Sequence, residues 1–289
     1  MIERPASRDD LRAVVELFCA YDQAFRGAVD TDDSDFTDDW DKAGFDYAAS
    51  TLVLAEQDRL VGFATVVDEY ADAMTPADRL ELLPRLLAWV EEHPGPLEHY
   101  VPDADRARAD VLTERGWRPA RRYWRMRREL DTPTPAAVWP DGVTVRPYDR
   151  PRDDAAVHTL ITTSFREIGG QHERSLEEWQ GYLLDSERFD AELYLVAESD
   201  GQVVGAALGQ TMGTDYGFVR QLAVAPSHRG RGLALSLLHE CFRRHAARGL
   251  PATVLGVDAG NPTGALALYE KAGMRVVEQL TRWDRPLAD

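Results

Sequence analysis

Gln221-Leu222-Ala223-Val224-Ala225-Pro226-Ser227-His228-Arg229-Gly230-Arg231-Gly232-Leu233-Ala234-Leu235-Ser236-Leu237-Leu238 is the most informative stretch of this chain. Ahead of it, residues 217–224 have the apolar, alternating character of a strand. Behind it, Leu233, Leu237, Leu238 and Phe242 recur at helical spacing. Between the two lies a loop with two glycines and two arginines that opens directly into the helix. The first N–H groups of a helix have no partner within it, and its dipole end is positive. Gly230 and Gly232 let the main chain approach a ligand closely, and Arg229 and Arg231 add positive charge. Together they form a cradle for a phosphate or diphosphate. The plain alternative is an ordinary strand-to-helix turn with solvated arginines. No Gly-Lys-Ser/Thr follows, so this is not a Walker A loop, and it is not GxGxxG.

A second segment adds to the first. Asn261-Pro262-Thr263-Gly264-Ala265-Leu266-Ala267-Leu268-Tyr269-Glu270-Lys271-Ala272-Gly273-Met274 follows a strand over 253–257. The two segments, in this order and at this separation, resemble the GNAT superfamily of acyl-CoA-dependent N-acetyltransferases. The resemblance covers roughly residues 143–285. It implies that main-chain amides of Arg229, Gly230, Arg231, Gly232, Leu233 and Ala234 hold the diphosphate of acetyl-CoA. It implies that Leu222, Ala223 and Val224 end a fourth strand whose main chain pairs with the pantetheine arm, in a gap between the fourth and fifth strands. It further implies that Asn261 contacts that arm and that Tyr269 protonates the departing thiolate. No metal enters this chemistry.

The chemistry is coherent on its own terms. A thioester is already activated, so no covalent enzyme intermediate is needed. The protein must position a neutral amine against the carbonyl and protonate the leaving sulfur. An alkyl amine has a pKa of about 10.4, so its deprotonation needs a base or a water chain. A phenol with pKa near 10 stays protonated at neutral pH and can donate. The alternative for Tyr269 is a helix residue packing on the sheet. The base is less legible. Asp215, near the start of the fourth strand, is one candidate. The polar segment 166–173 offers Glu167, His172 and Glu173, each weighed against a solvated loop residue. His239 and His245 read as surface or packing residues.

Working outward, the chain repeats itself. Ile2-Glu3-Arg4-Pro5 matches Val143-Thr144-Val145-Arg146-Pro147, Leu52 to Gly62 matches Leu193 to Gly205, and Glu114-Arg115-Gly116-Trp117 matches Lys271-Ala272-Gly273-Met274. Between the copies, residues 131–142 hold Pro133, Pro135 and Pro140 and read as a stiff extended linker. The expected domains are 1–130, the linker 131–142, and 143–289. Each half reads as an α/β (α+β) domain, a mixed central sheet flanked by helices. From Val67 to Tyr100 the first half has no Arg/Gln-x-x-Gly-x-Gly/Ala loop. It resembles a degenerate GNAT domain without a cofactor loop. The two-domain layout is similar to mycothiol synthases, but those keep a glycine-rich loop in the first half, which argues against that identity. The acidic stretch 30–41 reads as a solvated loop, and Arg121 to Arg128 as an amphipathic edge strand.

Composition narrows the partners. The 289 residues carry a net charge of −17 and are 44% hydrophobic, as in globular proteins. Such acidity disfavours nucleic acid and anionic membranes and favours cationic small molecules. No apolar run approaches the roughly 18 residues of a membrane helix, and the start lacks the layout of a signal peptide. Cys19 and Cys241 form no disulfide framework. The expectation is a cytoplasmic acetyl-CoA-dependent N-acetyltransferase, monomer or homodimer, acting on a primary amine of a small cationic metabolite. The alternatives are a protein lysine or N-terminal acetyltransferase and a non-enzymatic acyl-CoA sensor.

Overall fold

The computed structural model describes the chain apart from residues 28, 30, 58, 167–173 and 286–289. It runs β1 (Ile2–Arg4), α1 (Leu11–Phe25), α2 (Ser34–Trp40), α3 (Tyr47–Ser50), β2 (Thr51–Glu56), β3 (Arg59–Val67), β4 (Tyr70–Met74), α4 (Leu83–Glu91), β5 (Glu98–Pro102), α5 (Arg106–Glu114) and β6 (Arg118–Glu129). It continues with β7 (Val143–Pro147), α6 (Asp154–Arg166), α7 (Leu176–Leu183), β8 (Tyr194–Ser199), β9 (Gln202–Met212), β10 (Tyr216–Val224), α8 (Leu233–Ala247), β11 (Ala252–Asp258), α9 (Ala265–Lys271) and β12 (Arg275–Asp284).

Two compact units emerge, one made of Met1–Tyr123 with Glu278–Asp289 and the other of Trp124–Val277. The chain changes unit inside β6 and again inside β12. The linear division at 131–142 therefore follows chain order, while the compact units exchange the ends of their last strands. Side-chain chemistry accounts for the exchange. Trp283 of β12 is buried in a cluster of the first unit, among Leu54, Leu86 and Leu112. Thr281 Oγ1 donates to Asp103 Oδ1 at 2.6 Å there. Met126 of β6 is fully buried in the second unit, among Leu237, Phe242 and Leu255.

The first unit has strand order β1-β2-β3-β4-β5-β12. The period-2 alternation of a strand divides its core. Leu52 and Leu54 face Leu83, Leu86 and Leu87 of α4, whereas Val53 and Phe63 face Val14, Leu17 and Tyr21 of α1. The acidic stretch departs from the solvated loop expected of it. Asp32 accepts from the Ser34 N–H at 2.8 Å, and α2 follows with Phe36 and Trp40 buried. Carboxylates satisfy the orphan amides at a helix start, and two aromatics four apart face inward.

The second unit has strand order β6-β11-β10-β9-β8-β7. On one face α6 and α7 bury Val157, Ile161 and Trp179 against Tyr194 and Ala206. On the other, Leu233, Leu237, Cys241 and Phe242 of α8 cover Leu195, Ala207 and Val219. The arginines of β6 in this unit are engaged internally: Arg125 stacks on Tyr216 and Arg128 on Phe242, and Arg128 Nη1 donates to the Ala272 carbonyl at 2.7 Å.

Candidate active site

The site is set by where two strands part. β10 and β11 run parallel but pair only at Gly217↔Thr253 and Phe218↔Val254. β10 continues to Val224 and β11 to Asp258, so beyond that rung their facing main-chain groups are not paired with each other. On its other edge β10 stays paired with β9 through Leu222↔Ala207, Ala223↔Ala206 and Val224↔Gly205, with a bulge between Val219 and Gln221. A bulge adds twist and re-aims the strand. Leu222, Ala223 and Val224 therefore border the gap with an edge that does not pair with β11, the Val224 carbonyl being taken by Arg229 Nε.

At the end of that edge lies the loop. Pro226–His228 forms a single 3₁₀ turn. Gly230 and Gly232 have φ of +72° and +84°, and Gly232 caps α8. This is the left-handed region that only glycine occupies without cost. A Cβ at either glycine meets nothing within 4 Å, so the space before the main chain is open. The first amides of α8, on Leu233 and Ala234, have no carbonyl one turn back, and the Ser236 N–H is the one that closes on Gly232 O, at 3.1 Å. These groups fit a diphosphate. The two arginines do not share one role. Arg229 Nε turns back to the Val224 carbonyl at 3.0 Å, while Arg231 reaches the Asp141 carbonyl at 3.2 Å.

Asn261 follows β11. Its Oδ1 accepts from Thr263 N–H at 2.9 Å and Thr263 Oγ1 at 2.6 Å, which shapes the turn into α9. Tyr269 sits on α9 and packs on the cluster of α8. The helix closes firmly behind it, with Met274 N–H donating to the Tyr269 carbonyl at 3.0 Å. Burial pushes its phenol up to about 12, and among the described residues its hydroxyl has no hydrogen-bond partner. It stays protonated at neutral pH.

Asp215 does not join this group. It is exposed in the β9–β10 turn, before the rung where the strands are still paired. Nine residues separate it from Val224, roughly 30 Å along a strand. Glu167, His172 and Glu173 lie outside the described residues.

Sequence reasoning missed several neighbours. Trp179 Nε1 donates to Gln221 Oε1 at 3.2 Å, tying α7 to the strand beside the bulge. The Tyr182 ring is stacked by the guanidinium groups of Arg174 at 4.4 Å and Arg220 at 4.3 Å. His245, read as a surface or packing residue, is fully buried against the Gly217↔Thr253 rung, with Nδ1 2.9 Å from Thr253 Oγ1. Burial, reinforced by Arg248, holds it down at about 4. Its folded value lies below its ordinary 6.5, so the unfolded chain binds the proton first. Stability from this group is complete above pH 6.5 and falls as pH drops toward 4, by about 3 kcal/mol in all. Denaturant titrations between pH 7 and 4 are expected to show a slope that is shallower in His245→Gln by that amount. Parallel curves for the two proteins would disprove this origin.

The first unit shows what a closed version looks like. Its helix after β4 begins at Leu83 where α8 begins at Leu233, an offset of 150. An ungapped alignment of the repeats uses 157 and is seven residues out of register here. At the offset of 150 Arg79 stands opposite Arg229, and it is bound to Glu56 and Glu81. β4 and β5 pair only at Tyr70↔Glu98. The gap beyond is occupied by Arg108, 2% exposed, which donates to the Ala73 carbonyl and to Asp105 at 3.0 Å. Tyr21 OH completes the set by donating to Asp105 at 2.9 Å. In both units an arginine of the unit itself bonds a carbonyl near the strand end, Arg108 that of Ala73 here and Arg229 that of Val224 in the second unit.

Residues 155–274 match the profile described as "Acetyltransferase (GNAT) family". The chain is 33% identical to a mycothiol acetyltransferase of Thermobispora bispora over 251 residues, 81% of either protein. It is 30% identical to one of Kytococcus sedentarius, over 75% of this chain and 76% of that one. A GCN5-related N-acetyltransferase from Sphaerobacter thermophilus superposes with TM-score 0.82 at 29% identity, covering 100% of this chain and 97% of that one. A tandem GNAT protein from the clavulanic acid biosynthesis pathway shares the fold, with TM-score 0.75 at 14% identity over 100% and 99% of the chains. The chain belongs to the GNAT family of acetyltransferases. It is an acetyl-CoA-dependent N-acetyltransferase with a tandem-GNAT relative in fold.

Proposed function

We propose that the second unit binds acetyl-CoA between β10 and β11 and transfers its acetyl group to a primary amine of a small molecule. The observation that carries this reading is the early end of β10–β11 pairing with the open, glycine-capped start of α8 at its mouth. The amides of residues 230–234 hold the diphosphate, the edge at Leu222 to Val224 pairs with the pantetheine amides, and Asn261 lines the turn opposite. The amine nitrogen attacks the thioester carbon directly, the C–S bond breaks, and Tyr269 gives its hydroxyl proton to the leaving sulfur. The amine proton passes to water. Relatives named mycothiol acetyltransferase support a small-molecule acceptor.

The test is thiol release from acetyl-CoA against a panel of amino sugars, aminoglycosides, polyamines and a lysine peptide, with products read by mass spectrometry. Acetylation of the peptide alone would overturn the small-molecule reading. Tyr269→Phe is expected to lower kcat by about 10²-fold or more, the range of a general acid, with CoA affinity changed less than threefold. Equal losses in both would reduce Tyr269 to a packing residue.

A further inference from the structure

In the first unit, two alternate carbonyls of β4 are taken by the unit's own side chains. His99 Nδ1 donates to the Ala71 carbonyl at 2.8 Å, and Arg108 Nη1 donates to that of Ala73. A pantetheine arm finds neither of them open. Where the chain leaves β4 and where α5 begins, a cavity of about 190 Å³ remains. It lies wholly within the first unit. Phe25 and Leu80 give it apolar walls, and Thr75, Arg106 and Ala107 also line it.

The polar groups of the lining favour one sign of charge. Thr75 is 1% exposed, and among the described residues its Oγ1 has no hydrogen-bond partner. A buried hydroxyl left so is destabilising, and a ligand oxygen in the cavity would satisfy it. Arg106 and Ala107 open the nine-residue helix α5, and their amides have no carbonyl one turn back, so the positive end of the helix meets the cavity. The exposed Arg106 side chain makes no ion pair or hydrogen bond among the described residues. Asp105 also lines the cavity, but its charge is already matched. Its Oδ2 accepts from Arg108 Nε at 3.0 Å and from Tyr21 OH at 2.9 Å, and its Oδ1 accepts from the Arg108 N–H at 3.1 Å. The balance left is positive, beside apolar walls.

We infer that this cavity binds a small organic carboxylate carried on an apolar body about the size of a benzene ring. The carboxylate takes the Thr75 hydroxyl, the first amides of α5 and the charge of Arg106, while Phe25 and Leu80 cover the body. The volume exceeds the roughly 150 Å³ at which an apolar cavity admits benzene. The site is separate from the β10–β11 gap, which belongs to the other unit.

The experiment is a benzoate titration of the full chain by calorimetry, with benzamide and benzylamine as neutral and cationic counterparts. Benzoate is expected to saturate one site per chain, about tenfold more tightly than either counterpart. Added salt should weaken it, and saturating CoA should leave it in place. Thr75→Val keeps the shape and drops the hydroxyl. It is expected to weaken benzoate about tenfold without lowering Tm, and Thr75→Ser to retain the affinity. Arg106→Glu, on an exposed side chain, should weaken it about as much. If Thr75→Val does not fold, the Arg106→Glu titration decides alone. No saturable benzoate binding, equal binding of the three probes, displacement by CoA, or an affinity unmoved by these variants would each overturn the assignment.

Discussion

No CoA binding is expected by calorimetry for the combined variant Arg231→Glu and Gly232→Asp. Two negative charges then face a diphosphate. Each costs a few kcal/mol at 4–6 Å if the effective dielectric is about 20. Residue 232 must also hold φ at +84°, where a side chain adds roughly 1–2 kcal/mol. Because about 1.4 kcal/mol is a tenfold change in affinity, the total exceeds a thousandfold loss. The fold should survive, since a Cβ at Gly232 meets nothing within 4 Å. A folded variant that keeps micromolar affinity would remove the loop from the cofactor site.

Gly217→Ala is expected to give the largest stability loss of any single methyl added to the second unit. A Cβ there lies 2.2 Å from Cγ and Nδ1 of His245, on a ring that is fully buried. Neither β10 nor α8 can yield without disturbing the core, so the cost lies at or above the upper end of about 1–3 kcal/mol. Because Gly217↔Thr253 is one of the two rungs joining β10 to β11, the same change also shifts the point where they part. Combining it with His245→Ala should destabilise less than the two single changes added together, because the clash is gone. Additive losses in denaturant melts would show that the collision is not the cause.

Much of the second unit was legible because its signals are local. Glycine spacing, helix-start chemistry and strand alternation in residues 217–242 report on one short segment. What stayed hidden depends on partners distant in sequence. His245 reads as either a surface or a packing residue until Gly209 and Gly217 are seen to make room for it from two strands. A glycine inside a strand was the available signal of a close approach. Arg108 looks like an exposed helix charge, yet Asp105, Tyr21 and the Ala73 carbonyl draw it inside. The repeat offsets mislead by seven residues because α8 has 15 residues against 9 in α4, so the offset read near the chain's last helices does not hold at the strand ends Met74 and Val224. The exchange of terminal strands is invisible to periodicity, because alternation marks a strand without saying which unit its two ends join.

That exchange has a consequence for how the polypeptide matures. Translation delivers Met1–Tyr123 long before Glu278–Asp284, yet Trp283 and Thr281 are needed to seal its interior. The leading half therefore waits, unsealed, until the far end of the second repeat has been made. Messages cut between the repeats would yield two fragments, each missing its own final rung, rather than a working enzyme and a spare.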